Sequence, residues 1–525
     1  MTTDNNHILI IGGGTAGWLS AAILAKTLNS KSRKGVQVTL VESPDIPTLG
    51  VGEGTWPNLR ATLHKIGINE TDFIRECDAT FKQGAEFVNW HKTPQPECSG
   101  SSESYYHPLS TVNHSSYDFN LAPYWLLQDE NTRLPYDRSV ASQARICDLG
   151  LAPKQIVMPQ FSAAQEYAYH LNATKFAEFL KLHCINKLGV TFVSANVTDV
   201  HLDQDDFISH VDTDNCESKS IAADFFVDCS GAKGLLINQT YKIGWVDISN
   251  IILNDTALAV QVPYPNAQQP IKTHTLATAQ SAGWIWDIGL QNRRGVGHVY
   301  SSAHISEDQA TSQLLEYIDQ PELDLTIRKL KLNHGYRQKF WHKNTVAIGM
   351  SAGFVEPLEA SAIFLADAAA NMIAAQFPRQ RQQMAYVEQT FNRHFSMRME
   401  RTVEFIKLHY CISQRRDSQY WIDNCHPDSI PENLKRRLAF WKNNPPTKYD
   451  FDNAWEPFNL DSYLYVLYGM GYKTDLSANK SAYSDLDRAK KHFSDIDKAT
   501  KLLSAKLPLQ RELLEKVCQF GFSRV

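Results

Sequence analysis

No run of about 18 consecutive apolar residues occurs in this chain of 525, which argues against a membrane-spanning helix. The N-terminus lacks the basic start, the long apolar stretch and the small-residue cleavage site of a secretory signal, so a cytoplasmic setting is expected. Nine cysteines are scattered without a CxxC pair or a Cys/His metal spacing. They read as reduced, mostly buried small hydrophobes, and no metal site is expected. A net charge of −5 is small for this length and gives no reason to expect nucleic acid or an anionic membrane as partner. Internal repeats and low-complexity linkers are also missing. What is present is an ordinary globular composition, 43% apolar and 21% charged, over a length that exceeds one simple core.

The most specific local signal comes first in the chain. Residues 8–11 are fully apolar and read as a buried parallel strand. Gly12-Gly13-Gly14-Thr15-Ala16-Gly17 follows, matching GxGxxG, and then a helical stretch from Trp18. A second strand over 36–41 ends at Glu42. The order predicts a βαβ dinucleotide-binding unit. Gly12 permits the tight turn, Gly14 lets pyrophosphate approach the backbone with Thr15 and Ala16 opening the helix, and Gly17 lets helix and strand pack closely. The helix start favours the phosphates, and Glu42 is placed to accept ribose hydroxyls. Residues 222–231 and 345–353 each read as a strand meeting a glycine turn, which suits a long cofactor such as FAD.

Four further segments, in order, carry a family resemblance. Residues 50–57 (GVGEGTWP, with Gly52) are similar to a loop beside the flavin, and residues 81–90 (FKQGAEFVNW) to the segment of a catalytic lysine. Residues 283–289 (GWIWDIG) resemble the WxWxIP motif, with Gly289 in place of its proline. Residues 349–361 (GMSAGFVEPLEAS) resemble a segment combining flavin contact, halide site and catalytic glutamate, with Met350 where Asn or Asp is common. The chain thus resembles the flavin-dependent tryptophan/indole halogenases, most densely before residue 410.

The resemblance implies a mixed α/β, FAD-binding Rossmann-type monooxygenase fold. It implies reduced FAD (FADH2), oxygen and chloride or bromide as reactants and hypohalous acid as the halogenating species. Lys82 would receive that acid at the far end of a tunnel, hydrogen-bonding it or forming a haloamine. Glu359 would accept the ring proton. Gly349 and Met350 would contact flavin, and the backbone amides of Ser361 and Ala362 would hold halide. Trp284 and Trp286, two apart on a strand, face the same side and would wall substrate from flavin. His107, in a Tyr-Tyr-His-Pro stretch, is a candidate for the aromatic pocket, as is the tyrosine-rich segment 463–472. The substrate would be tryptophan, free indole or an indole derivative. No second nucleotide motif is visible, so a separate flavin reductase is expected to supply FADH2 by diffusion. A homodimer is compatible with all of this.

Residues 1–375 read as the FAD-binding body, with an unpatterned insertion around 95–150. Residues 376–525 read as a mostly helical region covering the substrate, with Phe391, Phe395, Met399, Val403 and Ile406 at helical spacing. An FAD-dependent aromatic hydroxylase is the main alternative. A serine hydrolase is a weaker one, because Gly349-Met350-Ser351-Ala352-Gly353 fits GxSxG formally.

Overall fold

A computed structural model describes residues 5–32, 34–46, 52–94, 103–112, 116–451 and 455–523. Cα positions group the chain into two compact units, each drawn from three stretches. The first comprises Met1–Asp78, Leu171–Ile248 and Asn333–Met399; the second comprises Ala79–His170, Ser249–Leu332 and Glu400–Val525.

In the first unit, strand β1 (His7–Ile11) lies inside a six-stranded sheet. It pairs in parallel with β2 (Gln37–Glu42) on one side and with Phe225–Asp228 on the other. Thr345–Ala347 and Thr191–Ser194 extend the parallel set outward. Strands covered on both faces read as continuous apolar runs, and Ile8, Leu9 and Ile10 are all fully buried. Helix α1 (Thr15–Thr27) crosses from β1 to β2 and buries Trp18, Leu19, Ile23 and Leu24. The α/β Rossmann-type expectation therefore holds.

One buried acid fixes the strand end that faces this unit's glycine turn. Asp228 is 0% exposed. Its Oδ1 accepts from Ser230 N (3.1 Å) and Ser230 Oγ (2.6 Å), its Oδ2 from Leu236 N (2.8 Å) and Ile237 N (2.9 Å). Asp228→Asn would aim an N–H donor at two backbone N–H donors. Loss of about 2–3 kcal/mol is expected in chemical denaturation, because a buried donor left without its acceptor costs that much.

The second unit is built on a seven-stranded sheet, in the order Arg328–Lys331, Thr256–Pro263, Arg293–Tyr300, Gly283–Gly289, Thr275–Gln280, Gly84–Val88, Ser104–Pro108. One face carries Leu258, Val260, Ile285 and Val296, packed on the helix Glu307–Ile318 through Ala310 and Leu314. Register places Phe87, Tyr105, His107, Trp284 and Trp286 on the opposite face.

The stretch 95–150 is more ordered than its composition suggests. Its described part holds the strand Ser104–Pro108 and short helices Ala122–Leu126, Tyr136–Val140 and Gln143–Asp148. Residues 95–102 and 113–115 lie outside the described residues. After residue 376 helices dominate, and Phe391, Phe395, Met399, Val403 and Ile406 form the buried face of Met384–Cys411. One stretch, Leu358–Ala375, is long and apolar enough to cross a membrane by length and composition, which a count of unbroken apolar residues misses because Glu359 and Asp367 interrupt it. It is 56% buried within the protein, as the core helix of a folded domain is.

Candidate functional site

The first unit assembles a nucleotide cradle. Gly12 has φ +115°, and a Cβ there would lie 2.2 Å from the Cys229 carbonyl oxygen. A Cβ on Gly17 would lie 1.9 Å from the Gly12 carbonyl oxygen, so helix and strand touch backbone to backbone at that point. A Cβ on Gly14, by contrast, meets nothing within 4 Å. That open approach leads to the start of α1, at Thr15 and Ala16, where no side chain caps the first turn. A pyrophosphate fits such a cradle, because free first-turn amides and the helix dipole both favour anions.

Glu42 closes β2, and a Cβ on Gly13 would fall 2.3 Å from its Oε1, so the carboxylate lies over the turn. Its Oε2 accepts from Lys181 Nζ at 2.8 Å. Lys181 was not legible as a site residue, since it comes from a distant helix, Ala173–His183.

The strand Thr345–Ala347 delivers Gly349 to the same place. Gly349 has φ +73°, and a Cβ there would stand 2.8 Å from Ala16 Cβ. Met350 beside it is 41% exposed, so its side chain is available at the surface of the cradle. Ser351 is 0% exposed, and its hydroxyl bonds the backbone carbonyls of Asp228 and Ile348. A hydrolase nucleophile must stand exposed at a strand-to-helix elbow, so the GxSxG reading falls.

Residues 357–362 hold an unusual backbone. Glu359 (φ 66°, ψ 1°) and Ala360 (φ 55°, ψ 47°) are consecutive left-handed residues with side chains. Each costs about 1–2 kcal/mol relative to ordinary helical backbone. The helix Ser361–Ala375 begins directly after them without a side-chain cap. Ser361 and Ala362 are therefore its first two residues, where amide N–H groups point out along the axis and suit an anion. Trp56 Nε1 donates to the Glu359 carbonyl at 2.7 Å, and its ring stacks on Phe364 at 4.2 Å. This brings the segment after Gly52 beside Glu359. Gly50 and Val51 of that segment lie outside the described residues.

Glu53, in the short strand Gly52–Gly54, has its carboxyl pushed up to about 7 by burial. An acid raised in this way stabilises the fold fully below its unfolded value and loses that contribution as pH rises through about 7. Flavin-free protein is expected to melt at progressively lower temperature between about pH 5 and 8, and Glu53→Gln to flatten that slope.

The second unit holds the remaining candidates. Lys82 ends the strand Thr80–Lys82, paired antiparallel with Ala168–Asn172, and is only 3% exposed. Thr80, on the same face, donates to the Gly289 carbonyl at 2.6 Å, so the close of the Trp-x-Trp strand is tied to the lysine strand. His170 sits across from Thr80. Burial first, then the charge of Lys82, holds the His170 imidazole well below its usual range. His274 Nε2 lies 3.1 Å from Glu86 Oε2. Burial alone would raise the Glu86 carboxyl, but the hydrogen bonds of His274 and Ser104 hold it down at about 2.

Trp284 and Trp286 are buried, with ring centroids 6.4 Å apart and edge to face. Trp286 lies over Gly297, where a Cβ would meet its ring carbon at 2.1 Å. His107 stands among Phe405 (5.6 Å), Tyr465 (6.2 Å) and Phe458 (6.5 Å). Phe405 and Phe458 stack at 3.8 Å. Tyr465 belongs to the expected tyrosine-rich stretch, whereas Phe405 and Phe458 were missed. A lone phenylalanine in a helical pattern carries no sign that it will meet a histidine from a strand.

A protein-family model for tryptophan halogenase matches residues 7–484. Tryptophan 7-halogenase RebH of Lentzea aerocolonigenes is 32% identical over 507 residues, covering 92% of this chain and 93% of that protein. Tryptophan 6-halogenase SttH of Streptomyces toxytricini is 32% identical, covering 90% of each. Among solved structures, tryptophan halogenase from Shewanella frigidimarina NCIMB 400 is 42% identical, covers 99% of each chain and superposes with a TM-score of 0.95.

Proposed function

The chain belongs to the tryptophan halogenase family of flavin-dependent enzymes, which take reduced FAD and a halide, and from that premise we propose that it halogenates an indole-type aromatic through Lys82 and Glu359. The observation that carries this reading is the burial of Lys82. Lys154 and Lys407 are buried as deeply, each bonding a backbone carbonyl, so the burial of Lys82 counts because it falls in the segment 81–90 that resembles the family's catalytic-lysine segment.

Reduced FAD, when bound, supplies with oxygen and halide the hypohalous acid that is consumed. The glycine turn at residues 12–17, Glu42 and Gly349 hold the nucleotide, and Met350 contributes an apolar contact. The amides at Ser361 and Ala362 hold the halide. The Lys82 side chain holds the electrophile, either by hydrogen bond or as a haloamine. If Lys82 hydrogen-bonds the acid, the ring takes the halogen as the oxygen–halogen bond breaks, and the electron pair stays on oxygen, which takes a proton from the Lys82 ammonium and leaves as water. If a haloamine forms, water leaves as the nitrogen–halogen bond forms, and that bond then breaks toward the ring with its electron pair staying on the Lys82 nitrogen. In both cases Glu359 accepts the proton released from the ring. Trp284 and Trp286 keep substrate from direct oxygen transfer. His107, with Phe405, Phe458 and Tyr465, offers stacking surface to a flat ring. A separate flavin reductase supplies the reduced cofactor.

Product mass spectrometry tests this reading. The reaction holds the protein, FAD, a flavin reductase with NADH, air, bromide or chloride, and in turn tryptophan, indole and substituted indoles. A halide-dependent halogenated product supports it. A hydroxylated product formed without halide would overturn it in favour of a monooxygenase.

A further inference from the structure

The hairpin of strands Val197–Leu202 and Ile208–Thr213, joined by Ser220–Ala222, packs one face inward. Val211 is fully buried, and Val200 and Ile221 pack on the same apolar group as Leu9, Ile11 and Phe226. Side chains alternate along a strand, so the neighbouring positions face outward. Register sets His210 opposite His201 and Asp212 opposite Asp199, which places two imidazoles and two carboxylates on one outer face. No linear spacing shows this, because the pairs meet only across the strands.

The side chains are those of a ligand set, and they lie close together. The His201 and His210 rings stack 4.3 Å apart with planes 9° from parallel, so one imidazole must turn about its side-chain torsions before both in-plane lone pairs can meet on one ion. His201 Nε2 lies 2.9 Å from Asp212 Oδ2. One ligand atom from each of His201, His210 and Asp212 lies within 4.8 Å of the others. A hydroxyl next door favours one tautomer of His210. Ser209 Oγ donates its single proton to the His201 carbonyl at 3.0 Å, so toward His210 Nδ1, at 2.9 Å, it can only accept. In that arrangement His210 carries N–H at Nδ1 and a lone pair at Nε2. That is the form a metal-binding histidine takes, with its other nitrogen held by an outer partner.

We propose that this outer hairpin face binds one divalent transition-metal ion of the zinc class through His201, His210 and Asp212, with Asp199 or water in the fourth position. Bonds of about 2.0–2.1 Å to a tetrahedral ion set neighbouring ligand atoms about 3.3 Å apart, so the His201–Asp212 pair opens by a few tenths of an ångström. Two imidazoles select zinc, nickel or copper over magnesium or calcium, which prefer all-oxygen sites. The ion would cross-link two strands whose inner face packs on the core of the nucleotide-binding sheet, so binding would brace that sheet from outside.

Titration of zinc sulfate into the full-length, tag-free protein by calorimetry tests the site, with magnesium as contrast. One equivalent of zinc is expected to bind and to raise the melting temperature. His210→Ala is expected to abolish both effects. Ser209→Ala, which touches no metal, is expected to weaken binding about tenfold, because it removes only the outer partner. Zinc binding of equal stoichiometry and affinity in wild type and in His210→Ala and His201→Ala would put the ion elsewhere and overturn the proposal. So would the absence of zinc binding, or displacement of zinc by equimolar magnesium.

Discussion

Lys82→Ala is expected to lower the rate of halogenated product formation by about a thousandfold or more, the upper part of the range for loss of a positioned acid–base group. Flavin affinity should stay within a few-fold of wild type, since every residue assigned to the cofactor lies on other strands and turns. The measurement is turnover by quantitative mass spectrometry alongside a flavin-binding titration. Two further variants separate the roles open to this side chain. Lys82→Met keeps most of the volume without a nitrogen and should match alanine in activity, which removes packing as the cause. Lys82→Arg keeps the donors and the charge but never deprotonates in a protein. If the lysine only hydrogen-bonds hypohalous acid, arginine should retain a measurable fraction of activity. If a haloamine forms, arginine should be as dead as alanine. Normal turnover by Lys82→Ala would end the mechanism proposed above.

Glu359→Gln should cost about a hundredfold in turnover, with little change in flavin or substrate affinity, because the amide keeps the size but cannot take a proton. The backbone makes this experiment unusually clean. Glu359 is held at φ 66° and its carbonyl is pinned by the Trp56 indole at 2.7 Å. Glutamine inherits both constraints, so the side chain is presented in the same direction. Ala360→Gly is the complementary change. Glycine adopts φ 55° without penalty, so this variant should gain up to about 1 kcal/mol of stability in thermal melts. Full activity of Glu359→Gln would show that ring deprotonation does not pass through this carboxyl. Strain kept beside a reacting group is also the pattern expected where a side chain must be aimed rather than merely placed.

Much of this was legible in the sequence, for reasons that differ by residue. Gly12, Gly14 and Gly17 are readable because each is demanded by local backbone geometry, within one strand and one turn. Glu42 is readable for the same reason, at the end of the next strand. Lys181, its ion-pair partner, is not, because an ion pair between residues 139 apart leaves no periodic trace. The strand ending in Asp228 reads as a strand meeting glycine, whereas the four donors gathered by its carboxylate follow only from the turn that wraps round it. Lys82 is indistinguishable from a surface lysine by composition, and only its flanking segment marked it. Pro357 and the acid Glu359 are residues that often open a helix, and nothing in them marks the left-handed pair Glu359–Ala360. The helix in fact opens at Ser361. Sheet register sets the strand of Lys82 beside that of His170, and helix packing brings Phe405 to His107, pairings that no single stretch of chain records.

Gly297 bears on how this enzyme can change over time. It is hemmed in twice: a Cβ there would strike the Trp286 ring at 2.1 Å and the Leu258 carbonyl oxygen at 2.6 Å. Even with Trp286 cut back, the carbonyl across the sheet still forbids a side chain at 297. The two neighbours cannot trade volume, as facing core residues often do. A variant that thins this part of the sheet face can do so at 286 but not by passing volume to 297, and what replaces the indole must rest on bare backbone.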